Sequence, residues 1–175
     1  MSLQVRNSIK VLLLNDDNEL LLICVDDPKP TTVKGEYHGR FWDTIGGEIE
    51  PHESIQQAAL REIHEETGIT KEEIELGPIV WFGELDLVLA GTLTHIKQRF
   101  IVARTKQKNV SLENLTQAEQ AVVKKVDWFS LEEIKNSTEV IYPVLLPQYL
   151  PDIISGKYPE QPIEINLAKK PKKSS

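Results

Sequence analysis

Residues 47–69 read GEIEPHESIQQAALREIHEETGI, and the fold turns on how this stretch is taken. If Ile55 to Thr67 forms a helix, Ile55, Ala58, Ala59 and Ile63 make one apolar face, since residues three and four apart stack on one side. Glu62 and Glu66 break that pattern. At about 100° per residue both fall within roughly 20° of Ile55, and Glu65 lies about 80° to one side. A face bound for the core should not carry carboxylates. Crowding ionised carboxylates in a poorly hydrated place costs several kcal/mol unless cations neutralise them. A set of oxygen ligands with no cysteine nearby suits a hard divalent ion, Mg2+ or Mn2+, better than zinc.

A lone REIHEE would read as a solvated helix face, with Arg61 and Glu65 paired at i,i+4. The longer spacing removes that option. The chain resembles the Nudix hydrolase family, whose box is G-x5-E-x7-R-E-U-x-E-E-x-G-U with U aliphatic, and Gly47, Glu53, Arg61, Glu62, Ile63, Glu65, Glu66, Gly68 and Ile69 meet every fixed position. At average residue usage, an accidental match in a chain of this length is on the order of one in ten million.

The resemblance implies an α/β (α+β) fold, a mixed β-sheet sandwiched between α-helices. It also implies metal-dependent attack of water on a diphosphate linkage in a nucleotide or similar substrate. By the same resemblance Glu62, Glu65 and Glu66 are metal ligands and catalytic residues, with the Gly47 carbonyl beside them. Arg61 pairs with carboxylates of the box and orients them, and Glu53 sits at the helix N-terminus, where the macrodipole favours a negative charge. Which carboxylate takes the proton from water stays open among Glu66, Glu65 and an acid outside the box. Glu119, in LTQAEQAVVKKVDWF, matches a position where many relatives place such an acid; a solvated glutamate on a short helix is the competing reading.

The rest of the chain reads in simpler terms. With 175 residues, 40% of them hydrophobic, one domain over 1–165 is expected, followed by a basic tail over 166–175 that lacks the apolar residues to offset its ordering entropy. The net charge of −7 argues against stable nucleic-acid binding and makes a polyanionic substrate hard to accept without bound cations. Cys24 is the sole cysteine, which excludes an internal disulfide and fits a reducing compartment. The first residues carry too short an apolar run for a signal peptide or a membrane span, so a cytoplasmic location is expected. A small-molecule partner follows, with a homodimer left open.

Aliphatic runs at 9–14 and 19–25, separated by NDDN, predict a hairpin. The loop 26–39 is long enough to wall a cleft. Strands are expected at 41–45, 79–89, 95–104 and 126–129, and helices at 117–125, 131–136 and 144–154, the last broken by Pro147 and Pro151. For the substrate, Arg40 is a candidate phosphate contact and Trp42 and Phe82 are candidate stacking residues, with Trp81 and Phe100 as further aromatics. The four histidines lack ligand spacing.

Two departures from the family pattern stand out. Pro51-His52-Glu53 replaces the Pro-Gly-Glu of many relatives. Glu84, Leu85, Asp86 and Leu87 occupy the region where ADP-ribose-preferring and dinucleoside-polyphosphate-preferring members carry a proline or a tyrosine. The expected activity is therefore pyrophosphohydrolysis of a nucleoside diphosphate derivative, with a (d)NTP favoured. A nucleotide-sugar or dinucleotide substrate is the alternative, and a ligand sensor without turnover is the alternative from another class.

Overall fold

The computed structural model describes residues 3–37 and 39–171. Its centre is β1 (Gln4–Leu14), flanked by the strands that carry the box and its supports. The order across the sheet is β3 (Pro30–Thr31), β5 (Ile74–Leu89), β6 (Thr92–Thr105), β1, β4 (Phe41–Glu48), β2 (Leu20–Val25) and β7 (Val123–Phe129); β8 (Ile163–Glu164) pairs with β5. β1 runs parallel to β6 from Gln4↔Thr94 to Leu14↔Arg104 and antiparallel to β4, so the sheet is mixed.

Alternation along the central strands explains the layers. Ile9, Val11 and Leu13 of β1, with Leu21 and Ile23 of β2, face α1 (Ile55–Thr67) and meet Ala58, Ala59 and Ile63. Leu12 and Leu14, with Leu20 and Leu22, face the opposite layer, where Ile134 of α3 (Leu131–Asn136) and Leu146, Leu150 and Ile153 of α4 (Leu146–Ile154) cover them. The sheet lies between helices, as the resemblance implied. Strands buried on both faces need near-continuous apolar runs, and VLLL and LLLIC are such runs.

The turns follow their local chemistry. Asn15 accepts hydrogen bonds at its side-chain oxygen from the N–H groups of Asp17 and Glu19 at 2.9 and 3.0 Å, closing the NDDN turn. Between β5 and β6, Ala90 and Gly91 both take positive φ (50° and 84°), the geometry that matches the twist of a tight hairpin. Pro147 does not break the last helix. It sits in the first turn of α4, where its missing N–H costs nothing, and Pro151 is carried inside the helix. The short α2 (Gln117–Val122) gives way at once to β7, so the strand begins three residues earlier than the expected 126.

Candidate active site

The end of β4, the turn after it and the second half of α1 (Ile55–Thr67) form one wall of a cleft of about 1160 Å³. Ser54 caps α1: its side chain accepts from the Gln57 N–H, and the Gln57 side chain accepts from the Ser54 N–H. At the other end Gly68 takes the left-handed conformation (φ 78°), and its N–H donates to the His64 carbonyl at 2.9 Å. Helix bounds and cap are those read from the sequence. Pinned at both ends, α1 directs Glu62 and Glu66 toward β4, with 6% and 3% of their surface exposed.

Gly47 shows why this contact needs glycine. A Cβ built there would lie 2.4 Å from Glu62 Oε1, so any side chain would expel the carboxylate. Glu66 is held by its neighbour: the Gly46 N–H donates to Glu66 Oε1 at 3.0 Å.

Arg61 joins the carboxylates. Its Nε and Nη2 donate to the two oxygens of Glu53 at 2.7 and 2.9 Å, a bidentate pair, while Nη1 donates to Glu62 Oε1 at 2.9 Å and reaches Glu65 Oε2 at 3.4 Å. Nη2 also donates to the Glu48 carbonyl at 3.0 Å. Glu53 therefore acts on the box through Arg61, and its position next to the helix cap places the pair across two turns of α1. The Glu53 hydrogen bond, together with the charge of Glu62, holds the guanidinium pKa above its usual value. The Arg61 hydrogen bond in turn holds Glu53 below the usual carboxylate range.

Glu65 and Glu66 shift the other way. Burial first, and the charge of Glu62 second, push Glu66 well above the ordinary glutamate value. The same causes raise Glu65, with Arg61 opposing and Glu119 adding to the repulsion. Such a set favours a cation.

Glu119 arrives from α2. One ligand oxygen each of Glu62, Glu65 and Glu119 fall within 4.8 Å of one another. The Glu119 side chain also accepts from the Thr116 N–H at 3.1 Å, and this N-cap contact fixes its direction. The structure thus joins an acid from outside the box to two inside it, while Glu66 lies alongside on Gly46.

The three candidate substrate contacts are placed elsewhere. Trp42 is 2% exposed and packs edge-on against Phe129, with its indole N–H on Glu139 at 2.6 Å. Arg40 Nε donates to Cys24 Sγ at 3.1 Å, and its Nη2 lies 3.7 Å from Glu139. Phe82 is on β5 against β8, and none of the three lines the cleft. Trp81 and Phe100 are core residues. The aromatics that do line it are Tyr37, from the 26–39 loop, and Phe41 and Tyr142, whose rings meet edge-to-face at 5.2 Å. Phe41 is one residue from Trp42 on the same strand, and alternation alone does not say which of two adjacent aromatics faces the core.

Residues 5–148 match the family model described as NUDIX domain, and the chain belongs to that family. It is 31% identical over 110 residues to "Nudix hydrolase 19, chloroplastic" of Arabidopsis thaliana, covering 61% of this chain and 22% of that protein. It is 38% identical over 58 residues to "Putative 8-oxo-dGTP diphosphatase" of Bacillus subtilis (strain 168), covering 33% of this chain and 32% of that protein. The chain thus spans about a third or less of the curated relatives it matches. Among solved structures it resembles the E. coli dihydroneopterin triphosphate pyrophosphohydrolase in fold, with a TM-score of 0.60 at 17% identity, covering 89% of this chain and 99% of that one.

Proposed function

We propose that the protein is a divalent-metal-dependent hydrolase of phosphate anhydrides, acting on a nucleoside diphosphate derivative and best suited to a (d)NTP. The observation that carries this reading is the convergence of Glu62, Glu65 and Glu119 within 4.8 Å in a cleft that also holds Glu66. The donor set fits a hard ion. It is all oxygen, one member is buried, and burial and mutual repulsion raise Glu65 and Glu66. Glu62, Glu65 and Glu119 would hold Mg2+ or Mn2+, with Glu66 and the Gly47 carbonyl beside them. When bound, the ion supplies neutralisation of these carboxylates and polarisation of a phosphoryl oxygen.

The chain's own residues do the rest. Arg61 fixes Glu62 and Glu65 and is itself fixed by Glu53, so the acids are placed before substrate arrives. Glu119 and Glu65, partly exposed where Glu62 is buried, are positioned to accept a proton from water at the cleft surface. Phe41 and Tyr142 offer a ring surface for a base. Names of relatives also support the reading, since one is called a diphosphatase and another a hydrolase of this family.

The test is a substrate panel of (d)NTPs, nucleotide sugars, dinucleotides and dinucleoside polyphosphates with Mg2+ or Mn2+, scored by release of phosphate or pyrophosphate. Turnover of (d)NTPs ahead of the other classes is expected. Binding without turnover across the panel would instead favour a ligand sensor.

A further inference from the structure

The segment after α4 returns over the edge of the sheet and enters the cleft. β8 pairs in parallel with β5 at Trp81 and Phe82, and the Ile165 N–H donates to the Phe82 carbonyl at 2.9 Å. Ile165 is buried, and Leu167 packs on the same cluster above Gly83. A Cβ at Gly83 would stand 2.6 Å from Leu167 Cγ and 2.8 Å from the Ile165 carbonyl oxygen, so the close approach depends on that glycine. Beyond Leu167 the chain lines the cleft that holds Glu62, Glu65 and Glu66, and the residues it brings there include Lys169 and Lys170. Only 172–175 of the expected tail lies outside the described residues.

The cations lining the cleft are unevenly committed. Arg61 is taken up by Glu53, Glu62 and Glu65, and Lys10 by Asp43 at 3.1 Å. Among the described residues, Lys34, Lys169 and Lys170 have no ion-pair partner in the protein, and of these Lys169 and Lys170 are adjacent on one segment. Arg6, on the same lining, has a buried Nε with no hydrogen-bond partner, its nearest ion-pair carboxylate oxygen being Glu48 Oε2 at 4.0 Å. An acidic site repels every phosphate that its metal does not touch. Uncommitted lysines on the same cleft answer the repulsion.

Resting on the hydrolase reading, we propose that the strap 163–171 is part of the substrate site and that Lys169 and Lys170 hold the phosphate chain of the substrate outside the glutamate cluster. The ammonium groups act as point charges on stems carried by a strap anchored at Ile165 and Leu167. They reward charge more than shape, so the strap selects substrates with an extended, highly charged phosphate chain. It contributes to binding and leaves the chemical step to the glutamates.

The experiment uses the full chain with inorganic tripolyphosphate and Mg2+ as the probe, followed by calorimetry. A K169A/K170A variant is expected to bind about tenfold more weakly, as loss of two water-exposed charge contacts implies. K169R/K170R should restore the affinity, and K135A, which removes a lysine of α3 outside the cleft lining, should leave it unchanged. On whichever panel substrate is turned over, the double alanine variant should raise KM with kcat within about twofold of wild type. The difference in affinity should shrink as NaCl rises. Unchanged affinity in K169A/K170A, an equal loss in K135A, or no binding of tripolyphosphate to the wild type would each overturn the proposal. If the wild type hydrolyses a panel substrate but the alanine variant binds as well as wild type, the strap role fails and the hydrolase reading stands. If tripolyphosphate binding depends on the lysines but nothing in the panel is hydrolysed, the hydrolase reading is the one that fails.

Discussion

Glu66 concentrates the tension between stability and function in a single side chain. It is 3% exposed, lies against Glu62, and receives one backbone hydrogen bond from Gly46. Glu66→Gln keeps an oxygen for that hydrogen bond while removing the repulsion, so the metal-free variant is expected to melt at or above the wild-type temperature. Its activity is expected to fall by an amount equivalent to about 2 to 5 kcal/mol of transition-state stabilisation. Thermal melting and kcat/KM on one preparation check both halves; near-normal turnover would remove Glu66 from the machinery. His52 is a second residue-scale case. It stands where many relatives have glycine, and it adopts φ 68°. A left-handed conformation costs a side-chain-bearing residue about 1 kcal/mol or more, partly offset by the greater chain entropy that glycine loses on folding. His52→Gly is therefore expected to stabilise by about 0.5 kcal/mol, read as a small rise in Tm with activity retained; a fall in Tm would show that the histidine side chain contributes more than its backbone costs.

At the scale of elements, what was legible in the sequence is what local chemistry encodes. The bounds of α1, its glycine cap, the NDDN and Ala90-Gly91 turns and the helix Leu131–Asn136 all follow from residues a few positions apart. The grouping of the candidate site was legible for the same reason, since Glu53, Arg61, Glu62, Glu65 and Glu66 share one helix and its entry. Pairings between distant segments were not. Nothing local tells β1 to lie parallel to β6, or Ile163–Glu164 to seek the edge of β5, and the uncovered edge that recruits β8 exists only once the sheet is built. The strap gives a direct prediction: Gly83→Val should force it outward at a cost of about 1–3 kcal/mol, seen as faster hydrogen exchange at the Ile165 amide than elsewhere in the sheet. Exchange that stays slow at Ile165 would mean that Leu167 moves instead. The β5–β6 hairpin carries a pH-dependent contact of its own. Hydrogen bonding to Asp86 at 2.6 Å, with Glu84 adding to it, raises the His95 pKa above its ordinary value of 6.5. The stabilisation is then fully present below the unfolded-state pKa and is lost as pH rises through the higher folded-state pKa. His95→Gln should cost stability relative to wild type at about pH 5.5 and little at about pH 9; the same difference at both values would remove the ionic contribution.

The whole molecule is negatively charged, and its cleft is where that charge is least solvated. Glu62 and Glu66 are buried next to one another, and Glu65 and Glu119 converge on Glu62, so the folded chain stores repulsion that unfolding would release. A ligand that binds only the folded state stabilises it by about 2.7 kcal/mol at a hundred times its dissociation constant. For a chain of this size that corresponds to a rise in Tm of roughly 5–10 °C. Titration with Mg2+ or Mn2+ is expected to produce such a rise, EDTA to reverse it, and NaCl at matched ionic strength to reproduce little of it, because screening acts weakly on buried charges. Glu62→Gln should begin from an equal or higher Tm without metal and lose most of the response, since it removes the charge of the buried carboxylate around which Gly47, Arg61, Glu65 and Glu119 are arranged. A metal response undiminished in Glu62→Gln would place the ion elsewhere in the cleft, and the convergence of the three glutamates would then reflect only their common tie to Arg61 and the cap of α2.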